Sequence, residues 1–486
     1  MNSKTITINP ITRLEGHGKI EIFLNEDGTV ENAYFQIPEL RGFERFCEGR
    51  TAEDLPIITP RICGVCPVAH HFASTKALDA AFKVNPPSAA KKLRELMYSG
   101  YIIYDHTLHF YFLGAPDFIV GPDAPAAERN ILGVIKKVGL DIAKEVIKHR
   151  AYGQKITAII GGKATHPVCG LPGGMSKPVT EDERQEIEKM AQSSVEFAKF
   201  SLRLFEDVVL KNKKYVDMVL SDAYALETYY MGLVDENNKV NFYDGKVRVV
   251  NPRGREFVKF ASADYLKNVE EHVEPWSYAK FPYLKKVGWN GFVGGLNSGI
   301  YRVGSLGRLN ASEGMATPLA QQEYKRMYET LGGRPVHSTL AFHWARLIEL
   351  LYAAERCLEL SRDDEITSED IRNNPGEPGE GVGIVEAARG TLIHHYVLDE
   401  EALVKRANLI VATTNNTPAI CMSIRDAARA FIHGENVTQG LLNRVEMAFR
   451  AYDPCLACAT HFAVGQMPLE IGIYNHERRL LKTIGR

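Results

Sequence analysis

The sequence has little of several features that would assign it to a specialised class of protein. Its 486 residues include only eight cysteines, and four of these, Cys47, Cys169, Cys357 and Cys421, show no paired spacing. This pattern argues against a disulfide framework and fits free thiols in a reducing compartment. No apolar run is long enough to span a bilayer, and no apolar signal-peptide core follows Met1. We therefore expect a cytoplasmic protein without a membrane span.

The sequence also has little net charge. Its 58 lysines and arginines nearly balance 60 aspartates and glutamates, which leaves a formal charge of -2. No general basic field results, so nucleic acid is not an indicated partner. Apolar residues make up 45% of the chain, which is enough for a substantial buried core.

Hydrophobic periodicity predicts an α+β protein with a mainly helical core and small antiparallel β-regions. Residues 4–37 and 234–260 have the alternation and turn residues of β-structure, and the apolar run 409–414 is strand-like. Helical patterns are predicted at residues 88–113, 180–209, 319–331, 337–360, 424–432 and 441–451. No internal repeat, low-complexity tract or separating linker is present.

Two Cys-x-x-Cys motifs stand at opposite ends of the chain. Cys63 and Cys66 form the first pair, and Cys455 and Cys458 form the second. Thiolates select soft metals, and a two-residue gap lets a turn direct both sulfurs at one metal. The separation of the pairs disfavours a local zinc ribbon, so we predict one four-thiolate centre assembled by the whole fold. A structural zinc clamp and a thioredoxin-like redox pair are the alternatives.

The residues around these motifs favour a catalytic metal over a structural one. His70 and His71 follow the first motif, Asp453 precedes the second, and His461 follows it. Charged and imidazole groups near soft ligands provide a tuned outer shell, which a structural zinc does not require.

Other polar groups are weak signals when each is taken alone. Glu15, in a turn beside a glycine, is by default a solvated carboxylate. Arg41 and Glu44 most often form a surface ion pair at such spacing. His106 and His109, on a predicted helix, are assigned a packing role. Asp117, if buried, needs a cationic partner.

With these residues in view, the chain resembles the large subunit of nickel-iron hydrogenases along nearly its full length. Within that family, the sequence most resembles the cytoplasmic, multi-subunit branch that works with nicotinamide, F420 or heterodisulfide-type modules. The resemblance rests on six motifs: Arg13-Leu14-Glu15-Gly16-His17, Arg41-Gly42-Phe43-Glu44, Arg61-Ile62-Cys63-Gly64-Val65-Cys66, Glu386-Ala387-Ala388-Arg389-Gly390, Val411-Ala412-Thr413-Thr414-Asn415-Asn416 and Asp453-Pro454-Cys455-Leu456-Ala457-Cys458.

The resemblance implies a nickel-iron centre whose iron carries carbon monoxide and cyanide. Cys63 and Cys455 would bind nickel alone, while Cys66 and Cys458 would bridge nickel and iron. The implied reaction is the reversible heterolytic cleavage of H2 into two protons and two electrons.

The resemblance also implies a proton path and a guanidinium above the metals. Glu15 becomes a proton relay next to Cys455, instead of a solvated carboxylate. Arg389 would lie over the metals, with Asp117 and Asp453 orienting it.

Four further residues take implied roles near the metals. Thr413 would hydrogen-bond a cyanide, and His70 would hydrogen-bond a bridging sulfur. Glu44 and His461 resemble ligands of a buried magnesium or iron ion that secures the C-terminal segment.

The resemblance implies that electrons leave through an iron-sulfur small subunit, with further flavin or iron-sulfur subunits beyond it. The remaining cysteines of this chain lack cluster spacing, so iron-sulfur clusters are expected only in partners. Two alternatives share the fold. A regulatory H2 sensor would have the same ligands, whereas the quinone-site subunit of complex I lacks the four cysteines.

The resemblance divides the chain at the second metal motif. Residues 1–461 are expected to form a single large domain, with residues 1–40 as its N-terminal β-region. Residues 462–486 form a C-terminal extension that we expect to be cut after His461, because large subunits of this family commonly end there.

Overall fold

The fold is taken from a computed structural model of the chain, which describes residues 5–9, 11–434, 437–460, 470–474 and 480–485. Helices dominate, and small sheets are attached to them, so the predicted α+β class is confirmed. None of the helices in these ranges is both long enough and apolar enough to cross a membrane.

The α-helices of the described residues vary from single turns to 25 residues. They are α1 (Phe43–Cys47), α2 (Leu55–Ile58), α3 (Pro67–Ala81), α4 (Ser88–Leu108), α5 (Pro116–Ile119), α6 (Ile131–Val138), α7 (Leu140–Gly161), α8 (Glu181–Phe205), α9 (Lys213–Val219), α10 (Tyr265–Asn268), α11 (Gly304–Ala311), α12 (Pro318–Thr330), α13 (Phe342–Ser361), α14 (Ala412–Phe431) and α15 (Gln439–Arg450).

The strands form six small sheets in the same residues. They are β1 (Thr5–Ile8), β2 (Lys19–Leu24), β3 (Val30–Gln36), β4 (Gly170–Leu171), β5 (Gly174–Met175), β6 (Tyr229–Val234), β7 (Lys246–Val250), β8 (Glu256–Phe260), β9 (Val269–Val273), β10 (Lys280–Leu284), β11 (Tyr301–Arg302), β12 (Glu380–Ala387), β13 (Gly390–Leu398), β14 (Val404–Ile410), β15 (Glu470–Tyr474) and β16 (Leu480–Gly485).

The N-terminal β-region has the predicted form. Strands β1, β2 and β3 pair antiparallel in sequence order. Every second residue of β2 is buried, because alternate side chains of a strand point to opposite faces.

The helical core is built from α4, α7, α8 and α13, which pack against one another. Thr180 caps α8: its hydroxyl accepts from the Glu183 N–H at 3.3 Å, and the Glu183 carboxylate accepts from the Thr180 N–H at 2.9 Å. This is the reciprocal capping box that the sequence predicts. The helix from 88 and the long helix from 180 are therefore both confirmed.

The hairpin formed by β12 and β13 is absent from the elements that periodicity predicts, as are helices α3 and α7. Its two strands are almost fully buried, so they lack the polar alternation that reveals a half-exposed strand. Ala387 pairs with Gly390, which leaves Ala388 and Arg389 as a two-residue turn inside the protein.

The prediction for residues 409–432 is partly wrong. Strand β14 ends at Ile410, and α14 already begins at Ala412, well before the predicted start at 424. Val411, Thr413 and Thr414 gave this segment its strand-like composition. The helix nevertheless forms because its first 13 residues are all buried, so tertiary packing overrides local preference.

Candidate metal centre

The four cysteines of the two Cys-x-x-Cys motifs converge inside the protein. The Sγ atoms of Cys63, Cys66, Cys455 and Cys458 all lie within 4.8 Å of one another, and all four side chains are buried. Cys63 Sγ lies 3.4 Å from Cys455 Sγ, and Cys66 Sγ lies 3.6 Å from Cys458 Sγ. These separations exceed the ~2.05 Å of a disulfide bond. The prediction of one four-cysteine centre built from both ends of the chain is confirmed.

The first motif is shaped by the junction of two helices. Cys63 follows a 3-10 helix, Thr59–Ile62, and Cys66 is the N-cap residue of α3. The backbone N–H groups of Val65 and Cys66 donate to Cys63 Sγ at 3.3 and 3.1 Å. Such donors stabilise a thiolate, so the loop prepares Cys63 for metal binding.

The electrostatics of the sulfur cluster fit a bound cation. Burial raises the pKa of Cys455 and of Cys458 well above the ordinary thiol value. Burial also acts to raise the pKa of Cys63, but hydrogen bonds from the other three thiols outweigh it and lower that pKa. A soft divalent metal would allow several thiolates to coexist, and a four-thiolate donor set fits nickel, iron or zinc.

Glu15 lies against the second motif, so its default assignment as a solvated carboxylate is wrong. Its Oε2 accepts from the Cys455 thiol at 3.0 Å and from the Ala457 N–H at 3.1 Å. Its carbonyl accepts from the Leu456 N–H at 3.0 Å. Burial, followed by the charge of Cys63, raises the pKa of Glu15. The chain thus places an ionisable group with proton affinity beside a metal-binding sulfur.

A glycine makes this approach possible. Gly16 has φ +82°, and a Cβ there would lie 2.9 Å from the Ala457 nitrogen. The loop that carries Glu15 therefore packs backbone to backbone against residues 455–457, and only glycine satisfies both the conformation and the space.

Arg389 lies between two carboxylates beside the cysteines. Its Nη1 donates to Asp105 Oδ2 at 2.6 Å, and its Nη2 is 3.0 Å from Asp453 Oδ2. The predicted contact with Asp453 is therefore present. Burial raises the pKa of Asp105 to about 7, and it raises the pKa of Asp453, even though Arg389 opposes both shifts.

The expectation that Asp117 orients Arg389 is wrong, because Asp105 fills that position. Asp117 instead pairs with Arg450, whose Nη1 is 2.6 Å from Asp117 Oδ2, and with Arg13. It is fully buried and has the cationic partner that burial requires, but this partner belongs to a different cluster.

Thr413 and His70 have contacts compatible with their implied roles. Thr413 Oγ1 accepts from the Cys455 N–H at 3.0 Å. His70 Nδ1 lies 3.1 Å from His394 Nε2, and His394 Nδ1 lies 2.7 Å from the Tyr396 hydroxyl. A buried hydrogen-bonded chain therefore leads from His70 through His394 to Tyr396.

Glu44 is buried, not exposed, so the default of a surface pair with Arg41 is wrong. Its Oε1 accepts from the Leu409 N–H at 2.7 Å. It also lines a cavity of about 530 Å³ together with Glu271. His461, the other expected ligand of the magnesium or iron ion, lies outside the described residues, so this second metal site stays a prediction.

Arg41 instead joins the two cysteine motifs. Its guanidinium donates to the carbonyls of Ile62 and Ala457, which precede Cys63 and Cys458 in the sequence. One exposed side chain therefore ties together segments from both ends of the chain.

Several supporting residues escape sequence reasoning. Arg308 is an example: its guanidinium donates to Glu349 at 2.6 Å, to Glu386 at 2.8 Å and to the Ala387 carbonyl at 2.8 Å. It thereby holds the turn that carries Arg389. The Glu386-to-Gly390 motif marks the turn, but no spacing in the sequence links it to position 308. Asp105 and His394 are equally hidden for the same reason.

Comparisons with known proteins agree with this geometry. The family model described as "Nickel-dependent hydrogenase" matches residues 41–132 and 144–461, and the one described as "HoxL-like" matches residues 5–40. The chain is 50% identical over 483 residues to an iron-sulfur subunit of the F420-non-reducing hydrogenase of Archaeoglobus profundus, with 99% of each chain covered. It is 38% identical over 501 residues to the NAD-reducing hydrogenase HoxS subunit beta of Cupriavidus necator, with 100% of each covered.

A solved structure has the same fold. A chain of the NAD+-reducing [NiFe]-hydrogenase in the H2-reduced state superposes with a TM-score of 0.89 at 37% identity, covering 94% of this chain and 99% of that one. The four converging cysteines, the full-length sequence similarity and this superposition are mutually consistent. The chain therefore belongs to the nickel-dependent hydrogenase family, as a large subunit of a multi-subunit hydrogenase.

Proposed function

We propose that Glu15 carries protons to and from the four-cysteine centre during reversible H2 cleavage, and that Arg389 and His70 tune that centre. The contact that carries the proposal is the 3.0 Å hydrogen bond between Cys455 Sγ and Glu15 Oε2. Cys63 and Cys455 would hold nickel, with Cys66 and Cys458 shared with an iron that carries carbon monoxide and cyanide. When bound, the metal pair supplies the heterolytic cleavage of H2 into two protons and two electrons.

The proton step rests on Glu15 and its position. Glu15 is partly exposed, whereas Cys455 is fully buried, so the carboxylate connects the sulfur with the outer part of the protein. A carboxylate with a raised pKa exchanges protons near neutral pH more readily than an ordinary one. We therefore assign Glu15 as the first acceptor of a proton from Cys455 Sγ.

Arg389 supplies a fixed positive charge beside the sulfurs. Its two carboxylate partners hold the planar guanidinium at both ends, which lysine could not match. This arrangement orients a guanidinium that can polarise a small molecule at the centre, without any rearrangement during reaction.

His70 and Thr413 are positioned as hydrogen-bond donors. If His394 Nε2–H donates to His70 Nδ1, then His70 carries its proton on Nε2. His70 can then donate to a sulfur. Thr413 accepts from the Cys455 N–H, so its own hydroxyl proton is directed elsewhere, and a cyanide is the acceptor we propose.

Electrons must leave this chain through another protein of the complex. Among the described residues, the four cysteines form the only group of three or more metal-ligating side chains within reach of one metal. Cys47, Cys169, Cys357 and Cys421 are separately placed and buried, so they provide no internal relay. We propose that the direct acceptor is an iron-sulfur small subunit, with further flavin or iron-sulfur subunits beyond it and a cytoplasmic location.

The experiment that tests this function combines metal content with turnover. The native complex should contain one nickel and one additional iron per copy of this chain, show infrared bands of carbon monoxide and cyanide, and reduce a dye with H2. Stoichiometric zinc without nickel would contradict the metal assignment. Intact metals with no turnover would instead indicate a sensor.

The C-terminal segment is the subject of a separate proposal. Of residues 462–486, the structure describes only the antiparallel pair β15 and β16. We propose that this extension is removed after His461 once the metals are inserted. Intact-mass measurement of active, nickel-containing protein decides this: a mass that includes residues 462–486 together with full activity would contradict the cleavage.

A further inference from the structure

The three most exposed large apolar side chains of the described residues lie on one helical hairpin. Leu132, Leu140 and Ile147 are 72%, 67% and 59% exposed, and Leu220 follows at 53%. Leu132 belongs to α6, whereas Leu140 and Ile147 belong to α7. Such a concentration of apolar groups on one surface is uncommon for a protein face in contact only with water.

The hairpin is attached to the rest of the protein by its inner face. Val134 and Val146 face inwards and are buried, and they border a small apolar cavity of about 240 Å³ against Tyr111 and Phe112, which the half-exposed Ile147 also lines. This inner face attaches the hairpin to the rest of the protein. The outward apolar side chains therefore require a different explanation.

Lysines lie beside these apolar groups with helical spacing. On α7, Lys144 and Ile147 follow Leu140 by four and seven residues, which places the three on one face. On α6, Lys136 follows Leu132 by four residues. We call Leu132, Lys136, Lys137, Leu140, Lys144, Ile147 and Lys148 the hairpin surface.

The hairpin surface has an uncompensated positive charge. Between residues 131 and 150 the sequence has more lysines and arginines than acidic residues. Lys144 and Lys148 pair with Asp141 and Glu145 on their own helix. Lys136 and Lys137 make no ion pair with any residue that the structure describes.

The same segment interrupts the match to the family. The two stretches that match the nickel-dependent hydrogenase pattern end at residue 132 and resume at residue 144. Three of the seven residues of the hairpin surface, Lys136, Lys137 and Leu140, lie in this gap, and the other four lie in the matched stretches on either side. The function of the hairpin surface is accordingly expected to differ between branches.

We propose that the hairpin surface docks another protein of the complex, through an apolar patch on that partner edged by aspartates and glutamates. An apolar centre with a basic rim is complementary to such a patch. The proposal rests on the proposed function in one respect: the partner is another subunit of the same hydrogenase. It specifies the chemistry of that partner's surface.

Two other occupants fit the surface less well. A second copy of this chain would bring Lys136 and Lys137 close to their own equivalents in a two-fold contact, which like charges disfavour. A lipid surface is usually bound by a longer apolar face with aromatic anchors, whereas α6 has no aromatic residue and α7 has only Tyr152.

The test uses the whole complex purified through a tag on this chain. One variant combines Leu132→Ser, Leu140→Ser and Ile147→Ser, and another combines Lys136→Glu and Lys137→Glu. The matched control combines Leu220→Ser with Lys286→Glu, which are exposed positions elsewhere. Subunit stoichiometry is measured by native mass spectrometry, and carbodiimide cross-linking locates carboxylates next to Lys136 and Lys137.

We expect each hairpin variant to bind one partner more weakly, by at least about tenfold, while the nickel and iron content of this chain is unchanged. In the unmodified complex, Lys136 or Lys137 should cross-link to an acidic residue of that same partner.

Unchanged stoichiometry in both variants would overturn the proposal. Two other outcomes would also overturn it. If the unmodified complex binds phosphatidylglycerol vesicles and the variants do not, the occupant is a membrane. If the unmodified complex self-associates and the variants do not, the occupant is a second copy of this chain. Absence of dye reduction in the unmodified, fully metallated complex would contradict the proposed function instead.

Discussion

Two buried arginines, Arg389 and Arg450, are each held by carboxylates, yet the two clusters serve different ends. Arg389 lies beside the four cysteines with Asp105 and Asp453, and burial raises the pKa of both carboxyls. In the other cluster Asp117 lies between Arg13 and Arg450. Burial acts to raise the pKa of Asp117, but the two arginines together outweigh it and lower that pKa.

The difference lies in the balance of charge. At Arg389 the guanidinium lies between two carboxylates, the charge of Arg346 also acts on Asp453, and Cys63 adds negative charge to the same surroundings. We expect metal cations to offset the thiolates of this cluster. At Arg450 the charges are balanced by protein groups alone, so that cluster can stabilise the fold without a metal.

The Arg450 cluster also fixes the position of the loop that leads to Glu15. Arg450 donates to the Thr12 carbonyl at 3.2 Å, and the Thr12 hydroxyl donates to Glu446 at 2.9 Å. The loop before Glu15 is thereby attached to α15, the helix that leads to Cys455. We therefore expect the Arg389 cluster to act in the chemistry, and the Arg450 cluster to hold the Glu15 loop against α15.

The largest expected effect comes from removing a sulfur at the Arg389 side. Cys455→Ser should lose bound nickel and all H2-dependent dye reduction, because a hydroxyl is a poor ligand for a soft metal. Metal analysis and dye assays on the purified complex measure both. Cys421→Ser, at another buried cysteine, should keep its nickel, and equal loss in both variants would show that any buried cysteine matters.

Two substitutions, one in each cluster, test directly whether the two clusters have different roles. Arg389→Lys should lower kcat by about 100-fold, because lysine keeps the charge but not the planar fork. Nickel content and melting temperature should stay close to normal. Unchanged turnover would remove Arg389 from the chemistry.

Arg450→Met should have the opposite profile. It leaves Glu446 without its arginine and Asp117 with Arg13 alone, so the free energy of unfolding should fall by up to about 3–5 kcal/mol. Denaturant unfolding measures the loss. A variant as stable as the unmodified protein would show that the Arg450 cluster does not hold the fold.

The pH dependence of stability tests the structural role of the Arg450 cluster further. The folded-state pKa of Asp117 is lowered, whereas an unfolded aspartate has a pKa of about 3.9. Ionised Asp117 therefore stabilises the fold above that pH, and its contribution is lost as pH falls through the lower, folded pKa. Asp117→Asn should lower stability at neutral pH but lose less stability on acidification. Parallel acid unfolding curves for the two proteins would contradict this.

The smallest expected effect concerns the orientation of His70. Tyr396→Phe removes the hydroxyl that fixes His394, and one such hydrogen bond contributes about 1 kcal/mol. We expect a few-fold change in kcat and a shift of the carbon monoxide and cyanide infrared bands at unchanged metal content. Identical infrared bands in the variant and the unmodified protein would show that this chain of hydrogen bonds does not orient His70.

Sequence reasoning located the parts of the site that are local in the chain. The cysteine pairs were predictable because two-residue spacing has a direct geometric meaning, and the Glu15 and Arg389 motifs were recognised by resemblance. Asp105 and Asp117 could not be told apart in this way. Asp105 lies on α4 and Asp117 on α5, with a π-helical segment, His109–Gly114, between them.

The same limit applies to predicting the fold from the sequence. The capping box and the half-exposed strand β2 were predictable, since their patterns are local. The hairpin of β12 and β13 and the early start of α14 were not, because both are buried on all sides and their conformation depends on distant neighbours.

The central claim is that Glu15 transfers protons to and from the metal centre, and isotope exchange tests it most directly. Glu15→Gln keeps the shape of the side chain but removes the ionisable group. With nickel and iron content and infrared bands unchanged, H2/D+ exchange should fall at least about 100-fold, while the exposed control Glu53→Gln exchanges normally. Near-normal exchange in fully metallated Glu15→Gln protein would contradict the account.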